Sequence, residues 1–243
     1  MSTLRAFSHE QIVLPSGLKL EVSLSLPPET LSSPLSKLAI CLHPWSWLGG
    51  RMDDPVLHAL KAPLSRAGYC VLRYNSRGVG QSTGWPSLTG TQEARDLEEL
   101  ASWAAAQLPG LTSLVIAGYS HGALVASLFP PPPPSSQVKV THILLSYPLG
   151  PRAWLTAFRG RHYTAALDAL ARDPRANVLV VYGDHDEFTG AQSYDDWVEG
   201  LRRENDGEGK ARLQILRIEG ANHFWVDPDA REQMLRAVQQ WIP

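Results

Sequence analysis

The sequence predicts an α/β fold in which a mostly parallel eight-stranded sheet is flanked by helices. Short β-rich apolar runs alternate with longer segments of helical period, and the third run onward reads as buried strand. Polar, Gly or Pro residues separate each run from the helix beside it. With 243 residues, 44% hydrophobic and 19% charged, the chain has the material for one ordinary core, a single domain over residues 1–243.

Residues 10–15 and 19–27 read as an opening hairpin turning at Pro15, Ser16 and Gly17, and 37–43 (KLAICLH) as the third strand. A helix starts after Asp54 and covers Pro55 to Ala67, leading to the strand 69–75 (YCVLRYN). Gln92 to Gln107 is a longer helix with acidic residues in its first half, where the helix dipole favours them. After the strand 113–119 (SLVIAGY), a helical segment opens at Ser120 and must stop at Pro130–Pro134, a run read as a stiff polyproline II loop on the surface. Strands 141–147 (THILLSY) and 177–183 (NVLVVYG) bracket a connection with helix-forming composition over Thr164–Ala171. A helix over Ser193–Arg203, a strand at 212–218 (RLQILRI) and a helix over Asp229–Trp241, started by Asp227-Pro228, complete the pattern.

Composition excludes several function classes. Lys plus Arg at 22 against Asp plus Glu at 24 gives a net charge of −2, so there is no electrostatic case for nucleic acid or an anionic membrane face. No run approaches the roughly 18 apolar residues of a membrane span, and Met1–Gln11 lacks a secretory signal's apolar stretch. Cys41 and Cys70, the only cysteines, read as buried free thiols, and the expectation is a soluble cytoplasmic protein. Arg77-Gly78-x-Gly80-x-Ser82 lacks the lysine of a phosphate loop, so no nucleotide cofactor is implied. His9, His58, His142, His162 and His185 have no metal-binding spacing, so no metal is expected. Oligomeric state is not legible.

Gly118-Tyr119-Ser120-His121-Gly122 fits G-x-S-x-G and stands between a strand and a helical segment, the context that gives the motif meaning. Two glycines flanking the serine leave room for a strained backbone that lifts its hydroxyl above the sheet. A serine hydroxyl is a poor nucleophile at neutral pH; an imidazole must take its proton and a carboxylate must orient that imidazole. An acidic segment, Gly183-Asp184-His185-Asp186-Glu187-Phe188, follows the strand at 177–183, and Gly220-Ala221-Asn222-His223-Phe224-Trp225 follows the strand at 212–218. The order along the chain is therefore Ser, acid, His.

With these segments, and with His43-Pro44-Trp45-Ser46-Trp47-Leu48-Gly49-Gly50 and Arg73–Ser82, the sequence resembles the α/β-hydrolase superfamily from residue 10 to Trp241. The resemblance implies the α/β-hydrolase fold with a minimal cap, because only Pro148–Ala176 separates the sixth and seventh strands. It selects Asp186, in a G-x-x-D pattern, as the acid; Asp184, Glu187 and Asp195 remain alternatives. The catalytic set is then Ser120, Asp186 and His223. The family's usual His-Gly is replaced by His43-Pro44, similar to an HPxxxxGG variant of compact hydrolases. Proline has no N–H, so the oxyanion donors are expected to be the amides of Trp45, or failing that Ser46, and His121, with His43 bracing the loop.

Trp47, Phe188, Phe224 and Trp154 are candidate substrate contacts, with Trp45 and Trp225 on the same loops and Leu155 and Phe158 completing a small apolar rim. The expected activity is hydrolysis of a small or medium carboxylic ester, with a small-molecule substrate and no cofactor. The alternatives are an amidase, peptidase or thioesterase of the same fold, and a non-catalytic member that binds a small molecule.

Overall fold

An apolar run such as Leu38-Ala39-Ile40-Cys41-Leu42 has no solvent-tolerant side, so its strand has to lie in a sheet covered on both faces. The computed structural model describes residues 4–28, 35–150 and 159–243, and in these the runs form one sheet. Its strands are β1 (Phe7–Val13), β2 (Lys19–Ser25), β3 (Lys37–Leu42), β4 (Cys70–Tyr74), β5 (Ser113–Tyr119), β6 (Lys139–Leu145), β7 (Asn177–His185) and β8 (Arg212–Asn222). Their spatial order is β1-β2-β4-β3-β5-β6-β7-β8. β2 pairs antiparallel with both β1 and β4; every later pairing is parallel.

The helices are α1 (Pro55–Arg66), α2 (Thr91–Ala106), α3 (His121–Ser127), α4 (Gly160–Arg172), α5 (Ala191–Glu204) and α6 (Pro228–Trp241). Side chains alternate across each strand, so the sheet feeds two cores. Ile40, Leu72, Ile116, Leu144 and Val180 pack with α2, α3, α4 and α5, whereas Ala39, Val71, Val115, Ile143 and Val181 pack with α1 and α6. The start signals act as expected: Asp54 accepts the Val56 amide at 2.8 Å and Asp227 accepts that of Ala230 at 2.8 Å, each followed by a proline at the first helical position.

Boundaries differ from the sequence reading where the backbone is irregular. β1 begins at Phe7, not residue 10, because its register shifts between Phe7 and Glu10 and His9 adopts φ 54°, which breaks the alternation. β8 continues to Asn222 because Gly220, at φ 72°, lets the chain bend and pair again at His185↔Asn222. Cys41 and Cys70 are buried free thiols on neighbouring strands but in opposite cores. Burial pushes them up to about 12 and about 11. Pro130–Pro134 follows α3 along the surface, with the Pro132 carbonyl accepting from Arg175 at 3.0 Å. Among the described residues no helix is long and apolar enough to cross a membrane.

Candidate active site

Ser120 joins β5 to α3 with φ 55° and ψ −119°, a conformation that costs a non-glycine residue of order 1–3 kcal/mol. The neighbourhood enforces it. The Ser120 amide donates to the Leu145 carbonyl at 2.9 Å, and the Ser120 carbonyl accepts from Ala123 at 2.9 Å. The turn is so tight that a Cβ on Gly118 would stand 2.2 Å from the Gly122 carbonyl oxygen, and one on Gly122 would stand 2.4 Å from that of Leu42. Both glycines of the motif are therefore steric requirements.

A hydrogen-bonded relay starts at the serine. Its Oγ lies 2.9 Å from His223 Nε2, and His223 Nδ1 lies 2.7 Å from Asp186 Oδ2, with all three side chains buried. The other Asp186 oxygen accepts the amides of Phe188 at 2.8 Å and Thr189 at 2.9 Å, and the buried Tyr194 hydroxyl donates to Oδ2 at 3.2 Å. These bonds aim the carboxylate at the imidazole. The backbone of His223 is held too, its amide donating to Glu187 at 2.9 Å and its carbonyl accepting from Tyr119 at 3.0 Å. Of the other acids considered, Glu187 thus fixes the histidine's loop, Asp184 accepts the Gly220 amide at 2.7 Å, and Asp195 faces Arg217 at 3.4 Å.

Beyond β3 the chain turns through Ser46–Leu48, and this turn is closed by the amides of Leu48, Gly49 and Gly50 donating to the carbonyls of Trp45 and Ser46. The amide of Trp45 takes no part in that closure. His43 is buried beneath the turn; Nδ1–H donates to the Pro44 carbonyl at 2.7 Å, and Nε2 accepts the Ser76 amide and hydroxyl at 3.0 Å each. Burial pushes its ring down to about 4, so it is a neutral brace.

A cavity of about 200 Å³ opens beside Ser120 and His223, with Trp45, Leu48, Tyr119, Phe188 and Phe224 in its wall. Phe188 packs edge-on to His223 with ring centres 4.6 Å apart. Of the predicted contacts, Phe188 and Phe224 reach this cavity. Trp47 does not: it is 67% exposed and stacks on the outer side of Trp45, 6.1 Å between centres, while its neighbour Leu48 takes the place at the wall. Trp225 points away into the α1–α6 core, its indole N–H donating to Ser146 at 3.0 Å. Trp154, Leu155 and Phe158 lie outside the described residues. Asp54, Tyr119 and Leu48 line the site without having been singled out for it. Only Asp54 left a signal, as the cap before Pro55. Burial raises its carboxyl above the ordinary range, against the lowering effect of the Val56 amide.

The strand–elbow–helix unit that carries Ser120 lies within residues 16–146, which match the family model for the X-Pro dipeptidyl-peptidases (S15 family) over more than half of the chain. The chain belongs to the S15 family. An uncharacterized protein of Rickettsia prowazekii (strain Madrid E) is 28% identical to this S15-family chain over 195 residues, 80% of this chain and 74% of that one. Among solved structures, an α/β serine hydrolase without a lid from Xanthomonas campestris is 27% identical, with a TM-score of 0.70 over 100% of this chain and 99% of that one. Est1E from Butyrivibrio proteoclasticus, solved with ferulic acid bound, is 19% identical, with a TM-score of 0.68 over 95% of this chain and 96% of its own. The α/β-hydrolase fold expected from the motifs is therefore borne out, and the chain is an α/β serine hydrolase.

Proposed function

We propose that the chain acts as one hydrolase domain that cleaves small or medium carboxylic esters through Ser120, His223 and Asp186. The observation carrying this reading is the unbroken relay, 2.9 Å from Oγ to Nε2 and 2.7 Å from Nδ1 to the carboxylate. Ser120 attacks the acyl carbonyl as His223 takes its proton, and Asp186 stabilises the imidazolium that forms. The amides of Trp45 and His121 receive the oxyanion. His121 opens α3, where first-turn N–H groups have no partner within the helix. His223 then protonates the leaving alcohol, and water attacks the acyl-enzyme by the same route.

The apolar wall favours an ester over a peptide. A peptide brings N–H and C=O groups on both sides of the scissile bond, each costing about 1–3 kcal/mol if buried unpaired. Trp45, Leu48, Pro148, Phe188 and Phe224 offer few side-chain partners for them. Phe188 and Phe224 are the proposed contacts for the acyl or alcohol group, and Est1E, solved with the aromatic ferulic acid bound, has the same fold. Two buried free thiols fit a cytoplasmic setting.

Family membership supports a second reading, an X-Pro dipeptidyl-peptidase using the same three residues. Hydrolysis of p-nitrophenyl esters from acetate to palmitate, beside Xaa-Pro p-nitroanilides, separates the two. Ester turnover that disappears in Ser120→Ala is expected. Faster cleavage of the anilides would favour the peptidase, and a folded protein inert to both, with no fluorophosphonate label at Ser120, would overturn both readings.

A further inference from the structure

Among the described residues lining the catalytic cavity, Asp54 is the one carboxylate, and it forms no ion pair there. Its helix-capping bond from Val56 at 2.8 Å supplies a dipole, and the imidazoles of His58 and His223 act on it without forming an ion pair. The rest of the wall includes four aromatic side chains, Trp45, Tyr119, Phe188 and Phe224, of which Phe224 is 53% exposed at the mouth. An unpaired carboxylate among aromatic rings is poor company for an anionic or purely aliphatic ligand. It is the combination that holds an alkylammonium ion, by Coulomb attraction and by the negative faces of the rings. Asp54 shares the wall with Tyr119, whose hydroxyl holds the His223 carbonyl and is pushed up by burial and, after it, by the Asp54 carboxylate, so Asp54 stands on the histidine's side of the site. That is the side from which a leaving alcohol is protonated.

We infer that the substrate carries an alkylammonium group on its leaving alcohol, held in this cavity by Asp54 together with Trp45, Phe188 and Phe224. The inference rests on the ester-hydrolase reading and gives it a substrate class.

Acetylcholine and 3,3-dimethylbutyl acetate have nearly the same shape but differ in charge, and their hydrolysis by the wild-type protein and by Asp54→Asn is the test. Asn retains a good helix cap, so the variant keeps the start of α1. The expected wild-type preference for the cation is about tenfold in kcat/KM, equivalent to about 1.4 kcal/mol, falling towards parity in Asp54→Asn. Parity in the wild type, or a preference unchanged by the substitution, overturns the inference. Should neither ester be hydrolysed, the p-nitrophenyl series judges the ester reading on its own, and tetramethylammonium titration of Ser120→Ala by tryptophan fluorescence still decides the cation site. Saturable binding that is lost when Asp54→Asn is added supports the cation site, whereas no binding beyond a sodium control rejects it.

Discussion

One methyl group at Gly122 probes how closely the serine turn is docked to the loop opposite. A Cβ there would stand 2.4 Å from the Leu42 carbonyl oxygen, 2.7 Å from its carbon and 2.8 Å from the His43 oxygen. All three are backbone atoms and cannot rotate away. Ordinary contact begins near 3.4 Å, so Gly122→Ala must part α3 from the end of β3 by about 1 Å. Overpacking of this kind costs about 1–3 kcal/mol, or roughly 2–12 °C in Tm for a chain of this size. The same displacement separates the proposed oxyanion donors, the amides of His121 and Trp45, and a misplacement of about 1 Å at a reacting centre can cost about a hundredfold in rate. The assay is fluorophosphonate labelling of Ser120 followed over time, beside thermal unfolding. Gly200→Ala, in α5 with no atom within 4 Å of its Cβ, is the control, and should label at the wild-type rate with slightly higher stability. Wild-type labelling and an unchanged Tm in Gly122→Ala would refute the docking argument.

Two further predictions concern stability. Arg77 makes paired hydrogen bonds of 2.6 Å to both oxygens of the buried Asp96, so Arg77→Met should cost about 3 kcal/mol by urea unfolding, much of it recovered by adding Asp96→Leu; a cost below about 1 kcal/mol would contradict this. Burial pushes His43 and His142 down to about 4 from an ordinary 6.5, so the unfolded chain binds protons that the folded one refuses between those values. Stability should therefore fall as pH drops from 6.5 to 4, by roughly 3 kcal/mol per histidine, and His142→Gln should lose less than wild type over that range in pH-dependent Tm measurements.

Much of this molecule was legible because its patterns are local. Buried parallel strands read as apolar runs, and proline or an Asx cap marked the starts of α1 and α6. The serine motif kept its meaning because strand and helix flank it, and the structure brings Asp186, not Asp184, Glu187 or Asp195, to the histidine. What stayed hidden depends on three-dimensional placement. Trp47 and Leu48 are adjacent in sequence, and only the turn through Ser46–Leu48 decides which of them faces the cavity. Asp54 was readable as a helix cap, but its second position, in the wall of the site with Ser120 and His223, depends on where the fold places the start of α1. The early start of β1 was masked by His9, whose positive φ upsets the alternation that marks a strand.

The order of the strands along the chain has a temporal consequence. The elbow holding Ser120 follows β5, and the Leu145 carbonyl that steadies it comes with β6, but the loops of Asp186 and His223 follow β7 and β8, the last strands among the described residues and at one edge of the sheet. A growing chain can therefore form the turn while the hydroxyl still has no base. Serine and histidine are 103 residues apart, and closing so long a loop is among the slow events of folding. Pairing of the Ser120 hydroxyl with His223 thus waits until β7 and β8 have docked, and the complete hydrogen-bonded relay marks a finished sheet.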